Sequence, residues 1–135
     1  MSGLIVITPL YAGLLAGVLF VLSVHAIRQR RQSRVALGDG GAPLLKRAVR
    51  AHANFTEYVP FALLMLLMLE LTQHPAGLLH ALGVALVIGR LLHAWGITRA
   101  DEDFRWRIVG MAMTFGVLAV AGLALIAYST NLLLR

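Results

Sequence analysis

The stretch RAVRAHANFTEYVP, residues 47–60, gathers cations, an amide, an anion and a phenol just ahead of the purely apolar run FALLMLLML. Set on a helix, Arg50, Asn54 and Glu57 fall at i, i+4 and i+7 and share one face, with Arg47 and Tyr58 flanking it. That is the equipment for a zwitterionic ligand. Arginine takes a carboxylate bidentately, glutamate takes an ammonium, and asparagine serves either. A second reading needs fewer residues: Arg50 and Glu57 neutralise each other or a neighbouring helix, while Arg47 stretches its stem to a lipid phosphate. The choice matters because an ionisable group at the centre of a membrane helix costs ~2.5–3.5 kcal/mol on insertion scales, so such groups face a bundle interior or a wet cavity.

Other polar residues lie further along. In GRLLHAWG, residues 89–96, Arg90 and His93 are i and i+3 on one helix face. His93 can hydrogen-bond a ligand carboxylate or thiol, or simply a neighbouring carbonyl, and Trp95 fits an interfacial aromatic belt. DFRWRIVGM offers Arg105 and Arg107 at the mouth of an apolar run, where membrane topology alone also explains arginines. RADEDF concentrates Asp101, Glu102 and Asp103; a solvated loop or a helix cap is expected, with Asp103 placed to start the next helix. Metal binding by Asp101 and Asp103 has weak support, and the histidines form no compact ligand cluster. Glu70 and His74, i and i+4, read as an interfacial pair. There is no cysteine, which excludes disulfides and thiolate metal sites; any thiol chemistry must use a thiol that a ligand brings.

These groups must be positioned by membrane helices. Of 135 residues, 59% are apolar and 13% charged, the latter about half the share usual in soluble domains. A soluble chain this short could not hide that much apolar surface. Four runs, about 4–27, 48–71, 76–97 and 108–134, are each long enough to cross a hydrocarbon core of roughly 30 Å, which takes about 20 helical residues. They lack the alternation of a barrel, so the expectation is an all-α, single-domain integral membrane protein over residues 1–135. QHP, residues 73–75, makes the second and third spans a tight hairpin, and GDGGAP breaks any helix in the first loop. Pro60 removes one helical hydrogen bond in the second span and either bends it or is tolerated there.

The formal charge of +6 speaks first of orientation and anionic membrane lipid, not of nucleic acid. The first loop and its edges hold Arg28, Arg30, Arg31, Arg34, Lys46, Arg47 and Arg50; the third holds Arg99, Arg105 and Arg107; the second holds no lysine or arginine. Loops one and three are therefore expected in the cytoplasm, and both termini outside. Glycines recur within the spans, including the small-xxx-small pattern GLLAG at Gly13 and Gly17; packing inside the bundle is expected, with an oligomer contact as the alternative.

The second-span pattern resembles the signature R-x-x-x-N-x-x-E-[YF]-x-P of the membrane-associated proteins in eicosanoid and glutathione metabolism (MAPEG), which Arg50, Asn54, Glu57, Tyr58 and Pro60 fill without a gap. The length, the four spans and the basic first loop are similar as well; RRQSRV and GRLLHAWG resemble the end of that family's first helix and its third helix, and the plain four-span profile is similar to bacterial members. The resemblance implies a four-helix bundle assembled as a homotrimer in a bacterial inner membrane, with glutathione as cofactor on the cytoplasmic side between subunits. It implies Arg50, Asn54, Glu57 and Tyr58 as glutathione ligands, Arg30, Arg31 and Arg34 near the mouth, and Arg90 and His93 along the third helix. Arg107, then Arg105, then Arg31 are the candidate catalytic residues.

A thiol with pKa near 8.5 is only a few per cent thiolate at neutral pH. A guanidinium beside the sulfur favours the anion and stays charged even when buried. The expected activity is thus a glutathione transferase or peroxidase acting on a lipophilic small molecule. The alternative is a non-catalytic lipid- or glutathione-binding protein of the same fold. A transporter is disfavoured, because the polarity lies at one end of the span instead of mid-membrane.

Overall fold

The computed structural model describes residues 4–101 and 103–135. Four helices run in chain order: α1 (Ile7–Ser33), α2 (Pro43–Leu71), α3 (Ala76–Thr98) and α4 (Phe104–Leu133). The shortest, α3, has 23 residues, which at 1.5 Å per residue spans about 34 Å and still crosses a hydrocarbon core. Among the described residues there is no strand. Helices α2 and α3 form the shared middle of the bundle. α1 packs on one side of that pair and α4 on the other, and the two outer helices do not touch.

Both ends of the first loop differ from the expectation. α1 runs on past Ile27 to Ser33, and α2 starts at Pro43, ahead of Ala48. The added turns are rich in arginine, glutamine and leucine, which are good helix formers, and cations in the last turn of α1 favour the helix dipole there. α1 stops at Arg34, whose φ of 54° lies in the left-handed region. The Arg30 guanidinium ties the following loop back by donating from Nη1 to the carbonyls of Val35 and Gly38, at 3.3 and 2.9 Å. Pro43 then opens α2, where a missing N–H costs nothing. The helix continues unbroken through Pro60.

Glu70 does not pair with His74. Its carboxylate accepts from the backbone N–H groups of Val6, Ile7 and Thr8, each at 2.7 Å, while His74 Nδ1 meets the Thr72 hydroxyl at 2.9 Å. α1 has no side-chain cap of its own, so the end of α2 supplies an anion to three amide groups that the helix leaves unsatisfied. Asp103 caps α4 as its position suggested, its Oδ1 accepting from the Arg105 N–H at 2.9 Å. Glu102 lies outside the described residues.

Three glycines bring α3 and α4 together. A Cβ at Gly110 would collide with the Gly89 carbonyl oxygen and come within 2.6 Å of the His93 backbone nitrogen; one at Gly96 would meet the Arg107 backbone nitrogen at 3.0 Å. This close approach places Arg107 beside His93. On the opposite side, Gly83 leaves room for the Tyr11 ring, whose hydroxyl hydrogen-bonds His80 Nδ1 at 2.9 Å. Gly13 and Gly17 have nothing within 4 Å of an added Cβ and lie exposed, so the GLLAG pattern is not used inside this bundle. Leu15, Leu66, Leu79 and Leu86 fill the core. With lipid as apolar as leucine, such contacts work through packing more than through exclusion of water.

Candidate functional site

At the basic end of the bundle, the start of α2, the end of α3 and the start of α4 enclose a cleft of about 330 Å³. Lys46, Arg47, Arg50 and Asn54 line it from α2, His93 and Ile97 from α3, and Arg107 from α4. The volume is at the lower end of the roughly 300–1,000 Å³ of small-molecule sites. Four cations around one hollow, with a histidine and an amide between them, give it a positive lining.

Arg90 stands behind this cleft. It is 1% exposed, and among the described residues no carboxylate touches it. Its Nη2 donates to Asn54 Oδ1 at 2.7 Å; Nη1 reaches Thr114 Oγ1 at 3.5 Å and the Met111 sulfur at 3.6 Å; the Phe55 ring lies 5.8 Å from its Cζ. Nε has no partner. A buried guanidinium served only by neutral groups is an uncompensated charge, costly unless an anion comes near.

The same residue orients its neighbours. Arg90 holds the Asn54 oxygen, which turns the amide nitrogen of Asn54 into the remaining donor of that side chain. Its Nη2 also lies 3.5 Å from His93 Nδ1. A guanidinium only donates, so this contact uses Nδ1 as acceptor and leaves the neutral ring its proton on Nε2.

Arg50 and Glu57 approach to 3.7 Å with their side chains 57% and 50% exposed. The pairing of the simpler reading therefore forms, but loosely, and it does not fill the cleft. Tyr58 turns its ring edge-on to Phe115, with centroids 5.6 Å apart. Phe115 lines a second hollow, an apolar groove of about 380 Å³ built from Phe104, Ile108, Met111 and Ala112 of α4 together with His93 and Arg107. Cleft and groove thus share His93 and Arg107.

Of the two arginines opening α4, Arg107 faces the cleft, its guanidinium 5.5 Å from the Phe104 ring centroid, while Arg105 is exposed. Arg31 and Arg34 are exposed too, and neither lines the cleft of its own chain. Arg30 borders a different cavity on another face of α2. Sequence reasoning passed over Lys46, although it stands one turn before Arg50 on the same face, and over Thr114, whose hydroxyl donates to the Gly110 carbonyl at 2.9 Å and leaves its lone pairs for Arg90. It also passed over the apolar wall of α4, because an helix that is apolar all round gives no facial signal. Among the described residues no group of three or more metal-ligating side chains comes together.

Comparison with known proteins gives the chain its family. The MAPEG family profile matches residues 8–127. The inner membrane protein YecN of Escherichia coli K12 is 38% identical over 122 residues, covering 90% of this chain and 92% of its own length, and YecN of Escherichia coli O6:H1 matches to the same extent. With four membrane-length helices, the polar face Arg50–Asn54–Glu57 turned toward one end, and a family match over nearly its whole length, the chain belongs to the MAPEG family.

Proposed function

We propose that this protein binds glutathione in the basic cleft and presents the sulfur to a lipophilic electrophile in the adjoining apolar groove, as a membrane glutathione S-transferase or peroxidase. The observation that carries the reading is the shared wall: His93 and Arg107 belong both to the charged cleft and to the apolar groove. A charged peptide suits one side and an oily molecule the other, and a reaction between them would occur where the two meet.

The residues fit the group. Lys46, Arg47 and Arg50 would take carboxylates and Asn54, oriented by Arg90, a peptide carbonyl; Glu57 is not part of the cleft lining and pairs with Arg50 at 3.7 Å, so it would have to turn toward the ligand to take the ammonium. Among the described residues no anion touches Arg90, and a ligand carboxylate or thiolate would supply one in part. When bound, glutathione contributes the nucleophilic thiol that this cysteine-free chain lacks. Arg107 would hold the sulfur in its charged form, since it remains protonated and lies at the junction. His93 Nε2–H would donate to the same atom or to the departing group, and Phe104, Ile108 and Phe115 would keep water from the apolar side.

The same reading includes assembly as a homotrimer. Arg50 and Glu57 are half exposed at a depth where lipid is a poor neighbour, and a second copy would cover them. Arg31 and Arg34 of one copy would then be available to the mouth of the next. The basic end would face the cytoplasm and both termini the other side, in a bacterial inner membrane like that of the YecN relatives. One observation favours the non-catalytic alternative: Ile97, which has no proton to give, closes the cleft beside His93.

The test is the ultraviolet absorbance of thiolate when the purified protein is mixed with glutathione at neutral pH. The transferase reading expects bound thiolate that disappears in Arg107→Ala and persists in Arg105→Ala. Binding with no thiolate would instead establish a glutathione binder, and absence of binding would refute glutathione as the ligand in either reading.

A further inference from the structure

A groove of about 600 Å³ between α1 and α3 is roomier than either hollow of the proposed site, and nothing described so far uses it. Trp95, in its wall, is two residues past His93 and so about 200° around the helix; the groove therefore lies behind α3 as seen from the cleft. No residue of α2 lines it, so an assembly that covers Arg50 and Glu57 leaves it facing lipid. On α1, Leu14, Gly17, Val21 and His25 succeed one another by three and four. Leu91, Trp95 and Thr98 do the same on α3. Gly17 hollows the wall, since a Cβ added there would have nothing within 4 Å.

We infer that this groove binds one anionic phospholipid, with an acyl chain laid between α1 and α3 and the phosphate at Arg28 and Arg99. The lining is polar at one end only, in two tiers. Deepest is hydrocarbon, from Leu14 to Val21. Next come His25 and Thr98. The Thr98 hydroxyl donates to the Ala94 carbonyl at 2.8 Å, and no hydrogen bond or ion pair among the described residues engages the His25 ring, whose N–H can therefore serve an ester carbonyl. Outermost are the cations. Arg28 is i+3 from His25 on the same side of α1, and Arg99 follows Thr98 with its Cζ 4.9 Å from the Trp95 ring centroid.

The two tiers select the occupant. A free fatty acid would end at His25 and leave the arginines beyond its reach, whereas a phospholipid carries esters at one level and a phosphate at the next. A second apolar helix would have no use for either tier. Length agrees: Leu14 to His25 is 11 helical residues, about 16 Å, or half of a hydrocarbon core of roughly 30 Å. So does charge. No carboxylate lines the groove. Asp101 meets Arg99 Nε at 3.9 Å with its side chain 86% exposed, a contact that solvent largely screens. An anionic headgroup gains from these cations, and one that carries its own ammonium gains less.

Trp95, 58% exposed in the wall, reports on the groove, and Trp106→Phe leaves it the sole tryptophan. The full chain with that change is reconstituted in phosphatidylcholine bilayers containing a rising fraction of dibrominated phosphatidylglycerol or dibrominated phosphatidylcholine. The glycerol lipid should quench Trp95 at a mole fraction roughly tenfold lower, as two cations at an anionic surface allow. Arg28→Gln should reduce that preference about fivefold, the effect of one cation. Gly17→Leu, which fills the groove and alters no charge, should abolish it, and decides the matter alone if Arg28→Gln does not fold. Arg105→Gln, a basic-end cation outside the groove, should leave it unchanged. Equal quenching by the two lipids, a preference that survives Gly17→Leu, or an equal loss in Arg105→Gln overturns the site in favour of diffuse attraction. Stronger quenching by a brominated free fatty acid than by the glycerol lipid overturns it in favour of that acid, and oxidative dimers through Val21→Cys in this cysteine-free chain overturn it in favour of a second copy.

Discussion

Gly110→Ala is the sharpest test of how α3 and α4 build the site. In an isolated helix the change stabilises by roughly 0.5–1 kcal/mol, because glycine loses more backbone freedom than alanine. Here the new Cβ would collide with the Gly89 carbonyl oxygen and stand 2.6 Å from the His93 backbone nitrogen and 2.8 Å from its Cβ. Two of those atoms are helical backbone and cannot rotate away, so the helices themselves must part. Overpacking of this kind costs about 1–3 kcal/mol, which exceeds the propensity gain and leaves a net loss of up to about 2 kcal/mol. The movement also separates Arg107 from His93, so glutathione binding should fall along with stability. Gly116→Ala, where nothing lies within 4 Å, carries the propensity term alone and should be neutral or slightly stabilising. Thermal unfolding followed by the fluorescence of Trp95 and Trp106 compares the two variants with the parent. A Gly110→Ala protein as stable as Gly116→Ala, with unaltered glutathione affinity, would refute the close crossing and the way it places Arg107.

Two further substitutions probe charges that bind within the bundle. Glu70→Gln keeps the shape but removes the anion from three N–H groups, and should lower stability by about 1 kcal/mol; amide exchange at Ile7 and Thr8 should accelerate while that of α3 is unchanged. Arg90→Met removes a buried cation that no carboxylate among the described residues compensates, so the ligand-free protein should be as stable as the parent or more so. Calorimetric titration of the same variant should show glutathione affinity reduced at least tenfold, about the effect of one charge-assisted contact, and an unchanged affinity would remove Arg90 from the site.

Much of the architecture could be read from the residues. Hydropathy located all four helices, QHP marked the hairpin, and Asp103 announced the start of α4. The helical spacing of Arg50 and Asn54 put both on the cleft wall. Hydropathy failed at the ends of α1 and α2, because it marks the edge of the membrane and not the end of hydrogen bonding: residues 28–33 and 43–47 are too polar for lipid yet good helix formers. It failed again at Glu70, where a partner four residues away looked sufficient. The actual partners are three backbone groups 62 to 64 residues distant, which no local pattern reveals. The resemblance grouped Arg30 with Arg31 and Arg34, but Arg31 points about 100° away around α1 and Arg34 lies past its end in the left-handed region, so of the three it is Arg30 that borders the cavity between α1 and α2.

The carboxylate of Glu70 also imposes an order on how the chain can be put into a bilayer. The leading end of the first helix arrives with amide groups that, among the described residues, nothing nearby in sequence satisfies. Satisfaction comes only when the second helix has crossed and delivered its far end to the same surface. Insertion of the first segment is therefore completed by the second, and the natural unit of assembly is the opening hairpin, to which the third and fourth segments are added.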